Sequence, residues 1–235
     1  MTQKIIGILG GMGPEATVDL FNKIIKLTPA AKDQDHIRII IDNNPKIPDR
    51  TNAIIGEGKD PLPELISTAK NLEKAGADFI IMPCNTAHYF IPGIQSKVNI
   101  PVLNIIQECA NHIQKTFPAI KKVCLFASKG TYKTKIYNAF FDKINVDILI
   151  PSPSEQEQIM QVIYEVKSGV LTEEMKKQMV DISNKQIRKG SEAIISGCTE
   201  IPLVLKDGDI KIPVIDPTYI LAKRSVMAAN HGIDQ

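Results

Sequence analysis

Apolar residues in this chain fall into short continuous runs separated by stripes at helical spacing. The first run, KIIGIL at 4–9, is closed by glycines and predicts a strand. Behind it, Val18, Phe21, Ile24 and Ile25 repeat at helical spacing after Pro14, a residue suited to a first helical turn. HIRIII at 36–41 predicts a second strand. Leu65, Ile66, Ala69 and Leu72 predict an amphipathic helix over 62–75, closed by Gly76. DFIIM at 78–82 then predicts a strand, followed by a short helix and by IPVLN at 100–104.

The same alternation restarts with KVCLFA at 122–127 as a strand, KTKIYNAFF at 133–141 as a helix and VDILI at 146–150 as a strand. Ser154 with Glu157 predicts a capping box for a helix running to about Lys167. Thr172 opens another long helix that Gly190 ends, and EAIIS at 192–196 is the next strand. Most runs are apolar without strict alternation, which predicts parallel sheets covered on both faces. The exception is 42–63, rich in Pro and Gly with little helical signal; a loop of that length inside a compact domain points to a functional lid or an unread element.

Comparing the halves exposes a repeat. GADFIIMPC (76–84) aligns with GSEAIISGC (190–198), glycine opposite glycine, acid opposite acid and cysteine opposite cysteine, at an offset of 114 residues (198 − 84). NIPVLN (99–104) matches KIPVID (211–216), and IGILGGMG (6–13) loosely matches VCLFASKG (123–130), in the same order and at nearly the same offset. The chain is expected to hold two similar α/β units, each presenting one cysteine beyond the carboxyl end of an equivalent strand, where open parallel sheets bind ligands.

Charge and composition narrow the partners. With 28 Lys+Arg against 26 Asp+Glu and no basic tract, nothing marks a nucleic-acid or membrane surface. The expected partner is a small molecule or another protein. The four cysteines form no CxxC pair and have no histidine at metal-site spacing, which argues against zinc, a dithiol centre or a disulfide framework. KIIGILGGMG is too short an apolar run for a leader or a span, so a cytoplasmic protein with reduced thiols is expected.

Cys84 or Cys198 taken singly reads as a small core residue. The pair does not, because packing gives no reason to repeat a cysteine after equivalent strands with Asn85 and Thr86, or Thr199, beside it. Cys109 in a helical stripe and Cys124 within a strand read as core filling. GGMGPEA fits G-x-G-x-x-A after a strand, but Asp42 lies later than a dinucleotide fingerprint requires, so the turn either holds an anion, carboxylate as well as phosphate, or is simply tight. Arg50 can clamp a carboxylate or face solvent. Lys167 can do the same or answer a helix dipole. His88 can tune a thiolate or pack.

Taken together, GGMGPEAT, PDRT, PCNTAH, SKGT, YEVKSG and GCTEIPL resemble the cofactor-independent aspartate/glutamate racemase family, on the aspartate racemase side, across essentially the whole chain. The resemblance implies two similar α/β domains with mainly parallel sheets related by pseudo-twofold symmetry and an active site in the cleft between them: 1–104 with 214–235 carrying Cys84, and 105–213 carrying Cys198. It implies catalytic roles for Cys84 and Cys198, clamping of substrate by Arg50 and Lys167, and substrate contacts from Met12, Asn85, Thr86, Ser128, Thr131, Thr199 and Glu200. It also implies an acidic amino acid as substrate, a homodimer, and neither pyridoxal phosphate nor metal. Hydantoin racemisation and maleate isomerisation are related reactions on this scaffold. A nucleotide- or anion-binding module with passive cysteines is the alternative from another class.

Overall fold

A computed structural model describes residues 3–232 of the chain. In chain order the elements are β1 (Ile6–Gly10), α1 (Pro14–Leu27), β2 (Ile39–Asn43), α2 (Arg50–Ile55), α3 (Leu62–Lys74), β3 (Phe79–Ile81), α4 (Ile91–Gln95), α5 (Ile105–Thr116), β4 (Lys122–Phe126), α6 (Lys129–Thr134), α7 (Asn138–Phe141), β5 (Asp147–Leu149), α8 (Pro153–Lys167), α9 (Glu173–Arg188), β6 (Ala193–Ser196), α10 (Ile201–Val204), β7 (Val214–Ile215) and α11 (Pro217–His231). They form two compact units: residues up to Glu108 with those from Thr218 onward, and Cys109–Pro217.

The first unit has a parallel sheet in the order β2-β1-β3, continued beyond β3 by a single parallel bridge between Ile80 and Val102. The second has the order β5-β4-β6-β7, also parallel, with Ile194 opposite Val214. The two sheets therefore share one order, and the repeat in the sequence is a repeat of strand positions. Its paired acids do the same work. Asp78 accepts from the Ile5 amide at 2.6 Å, and Glu192 accepts from the Lys121 and Lys122 amides at 2.6 and 3.0 Å, so each acid secures the start of its unit's central strand. Since β7 pairs with β6, Val214 and Ile215 go with the second unit.

Burial follows strand position. Every residue of β1, β3 and β6 is buried, whereas the edge strands β2 and β5 are partly exposed. This is what covering a parallel sheet on both faces requires, and why the central strands read as unbroken apolar runs. In the first unit Leu65, Ala69 and Leu72 of α3 pack in one cluster with Leu9 and Ile80; in the second, Ile159, Ile163, Met179 and Ile182 of α8 and α9 pack with Phe126 and Ile194. A buried aliphatic side chain of this size contributes about 1.5–3 kcal/mol. Among the described residues no helix is long and apolar enough to cross a membrane.

Three sequence expectations need correction. The box at the start of α8 is Ser152 with Glu155, not Ser154 with Glu157: the Ser152 hydroxyl accepts from the Glu155 amide and the Glu155 carboxylate from the Ser152 amide, with Pro153 at the first helical position. The single helix expected over 133–141 is two short ones, because Lys135 adopts a left-handed conformation with φ 51°. The segment 42–63 is not all loop either. Asp49 caps α2 by accepting from the Asn52 amide at 2.7 Å, a local bond that organises too few residues to leave a periodic signal. Thr172 and Gly190 do bound α9 as expected, the threonine as its cap and the glycine at φ 92° just past its end.

Candidate active site

In each unit the candidate residues gather where the chain leaves the carboxyl ends of the central strands. Beyond β1, the turn from Gly10 to Gly13 leads into α1. Its shape depends on Gly11, at φ 93°, where an added Cβ would sit 2.3 Å from the Asn44 backbone. Thr17 ties the turn together: its hydroxyl accepts from the Gly11 amide at 2.9 Å and donates to the Gly13 carbonyl at 3.1 Å. Gly13 offers no side-chain cap to α1. The first-turn amides therefore keep their donor capacity for an anion.

Arg50, the first residue of α2, is 8% exposed. Its guanidinium donates to the carbonyls of Ile47 at 3.2 Å, Pro48 at 3.0 Å and Met12 at 3.4 Å, and its Nε has no partner. No carboxylate pairs with it among the described residues. The short helix that periodicity missed is what delivers this cation to the glycine turn. A buried guanidinium held only by carbonyls has unspent capacity for a carboxylate.

Cys84 follows β3 and begins a turn of helix over Thr86–Phe90. It is 7% exposed and packs in one cluster with Met12, Ile47 and Met82. Asn85 and Thr86 beside it are buried. His88 is buried too, with Nδ1 2.8 Å from the Cys84 carbonyl. A carbonyl can only accept, so Nδ1 carries the hydrogen. Burial, only partly opposed by that bond, lowers the His88 pKa to about 4. The ring is neutral near pH 7 and supplies no cation to a thiolate: it braces the turn.

In the second unit Cys198 follows β6 and is 8% exposed. Its Sγ donates to Glu200 Oε2 at 2.9 Å, and the Thr199 hydroxyl donates to the same oxygen at 3.1 Å. Ser128 caps α6 beyond β4, and its hydroxyl lies 3.2 Å from that of Thr131; both are buried. Tyr132 braces this turn by accepting from the Ala127 amide at 2.9 Å and donating to the Leu125 carbonyl at 3.0 Å. Lys167 is the exposed last residue of α8. Cys109 and Cys124 are wholly buried, and burial pushes the Cys109 thiol far up and the Cys124 thiol to about 12.

Sequence reasoning missed Thr17, Asp49 and Tyr132. Each acts through one or two hydrogen bonds to a turn, and no spacing rule marks such bonds in advance.

Two parallel α/β units of one strand order each release a cysteine with adjacent hydroxyl groups past the same strand, the place where open parallel sheets bind ligands. Residues 9–224 match the sequence pattern of the Asp/Glu/hydantoin racemase family, and the chain belongs to it. The broad specificity amino-acid racemase RacX of Bacillus subtilis (strain 168) is 32% identical over 226 residues, covering 94% of this chain and 96% of that protein. The Picrophilus torridus aspartate racemase matches with a TM-score of 0.87 and 33% identity, over 97% of this chain and 94% of that one. An aspartate racemase homologue from Pyrococcus horikoshii OT3 matches at 0.78 and 28%, over 97% and 100%. The protein is an amino-acid racemase of this family.

Proposed function

We propose that the protein interconverts the L and D forms of an acidic amino acid, aspartate or glutamate, using Cys84 and Cys198 as its two proton-transferring groups and no pyridoxal phosphate. The observation that carries this reading is the equivalence of the two cysteines. They leave β3 and β6, which hold the same place in two sheets of the same order.

Racemisation removes a proton from one face of Cα and delivers one to the other. A thiolate takes the first proton, and a thiol on the opposite face gives the second. Cysteine suits both tasks, since a free thiol titrates near 8.5 and needs modest help to ionise at neutral pH. The reaction requires both sulfurs to reach one Cα from opposite sides.

The carbanion formed without an electron sink needs preorganised donors on the substrate α-carboxylate. Asn85, Thr86, Thr199, Ser128 and Thr131 are the side chains proposed for this, with the backbone amides near each cysteine. Arg50 and the open first turn of α1 favour a carboxylate on the substrate, and Lys167 is the proposed second cation. The working species is proposed to be a cytoplasmic homodimer.

The Bacillus subtilis relative carries a broad-specificity name, so the test spans a wide panel. Purified protein is incubated in deuterium oxide with single enantiomers of acidic and neutral amino acids and no added cofactor. Deuterium should enter Cα of aspartate or glutamate as the optical rotation decays. A protein inert toward every amino acid in the panel would lack the proposed activity.

A further inference from the structure

The two thiols have unequal surroundings, and the inequality deepens the two-cysteine reading on which it rests. Cys84 and Cys198 are almost equally buried, at 7% and 8% exposure. Among the described residues no hydrogen bond reaches Cys84 Sγ. Cys198 Sγ instead lies 2.9 Å from Glu200 Oε2. Glu200 is itself 5% exposed, and no lysine or arginine pairs with it among the described residues. The Cys198 thiol and the Thr199 hydroxyl both donate to its Oε2. A buried carboxylate left without donors is costly, so this one draws hydrogen from the groups that face it.

We propose that Glu200 is a positioning residue that keeps the proton on Cys198, so that the resting enzyme carries Cys198 as the thiol and Cys84 acts first as the base. Removing the Cys198 proton would set two negative charges side by side in a buried place, which disfavours the thiolate. Among the described residues no carboxylate is hydrogen-bonded to the Cys84 thiol.

Turnover then balances as follows. The Cys84 thiolate takes the Cα proton and becomes a thiol, leaving an electron pair on Cα. That pair takes the proton from Cys198, whose S–H bond breaks. Cys198 is briefly a thiolate beside Glu200 and regains a proton from solvent, while Cys84 releases one to solvent. The opposite enantiomer runs the same steps backward, entering through the less populated form in which Cys198 is the thiolate. The racemisation equilibrium constant is one, so kcat/KM is the same for both enantiomers, and the inequality appears in kcat and KM separately. Glu200 thus acts on the thiol rather than on the substrate.

The experiment labels the folded protein with iodoacetamide at pH 7 and follows each cysteine by peptide mass spectrometry. In the unmodified protein Cys84 should be alkylated faster than Cys198. In Glu200→Gln the Cys198 rate should rise by about tenfold, the ratio that corresponds to about 1.4 kcal/mol of removed repulsion. The Cys84 rate should stay where it was. A merely structural role would not change one thiol selectively, and Glu200→Asp, which keeps the charge, should restore the slow rate. A Cys198 rate that falls or holds still in folded Glu200→Gln overturns the proposal, the first outcome making Glu200 a base and the second a bystander. Should that variant not fold, faster labelling of Cys198 than of Cys84 in the unmodified protein overturns it equally. Alkylation reads the thiols and not turnover, so its failure would leave the deuterium experiment standing.

Discussion

His88 Nδ1 lies 2.8 Å from the carbonyl oxygen of Cys84, and the ring that makes this bond is buried and neutral. The unfolded chain exposes the same ring, which there titrates near 6.5. Between about pH 6.5 and pH 4 the unfolded state therefore holds a proton that the folded state does not. The stabilisation is complete above that window and is lost as pH falls through it. From pH 7 to pH 5 the loss is about 2 kcal/mol. Urea unfolding at both pH values measures it, and His88→Asn, which keeps a donor for the carbonyl but does not titrate, should flatten the difference.

Neither cysteine should replace the other. Cys84→Ser and Cys198→Ser each keep a small hydroxyl in the same space but cannot ionise near neutral pH, so each should lower racemisation by at least about a hundredfold. Circular dichroism should be unchanged. Cys109→Ala and Cys124→Ala, remote from any ionised role because both thiols are buried and held protonated, should keep the activity. Near-normal turnover in either serine variant would sink the two-base assignment.

Among the described residues Arg50 presents a buried guanidinium to backbone carbonyls alone. Arg50→Met should raise KM for aspartate or glutamate by at least about tenfold, the scale of one charge-assisted hydrogen bond. Neutral amino acids should be affected less. Thermal shift offers a second reading: saturating acidic substrate should raise the melting temperature of the unmodified protein and not that of the variant. Equal loss for acidic and neutral substrates would remove Arg50 from substrate choice.

Gly197 precedes Cys198 where β6 ends. A Cβ there would sit 2.5 Å from Leu125 Cδ1 and 3.1 Å from both the Ala127 Cβ and the Phe126 carbonyl oxygen. Gly197→Ala should cost about 1–3 kcal/mol through overpacking. The strain falls on the residue that aims the thiol, so kcat should fall further than stability explains, with KM less changed. Stability by urea unfolding and kinetics on the same preparation separate the two effects.

The sequence by itself determined the plan of the molecule. Central strands buried on both faces must be apolar throughout, and those runs, with the Gly, Pro and Thr that bound the helices, were legible as two parallel α/β units. The 114-residue repeat carried more than hydrophobicity. Asp78 and Glu192 recur because each secures the start of a central strand, and Cys84 and Cys198 recur because they leave equivalent ones. What only the tertiary structure decided is what surrounds each thiol. The bond from Cys198 to Glu200, the neutral brace of His88 and the burial of Arg50 at the head of an unpredicted helix are set by single hydrogen bonds and local desolvation. Such terms depend on where atoms come to rest in three dimensions. A periodic pattern records which face of an element is covered, but not which polar atom meets another beneath it.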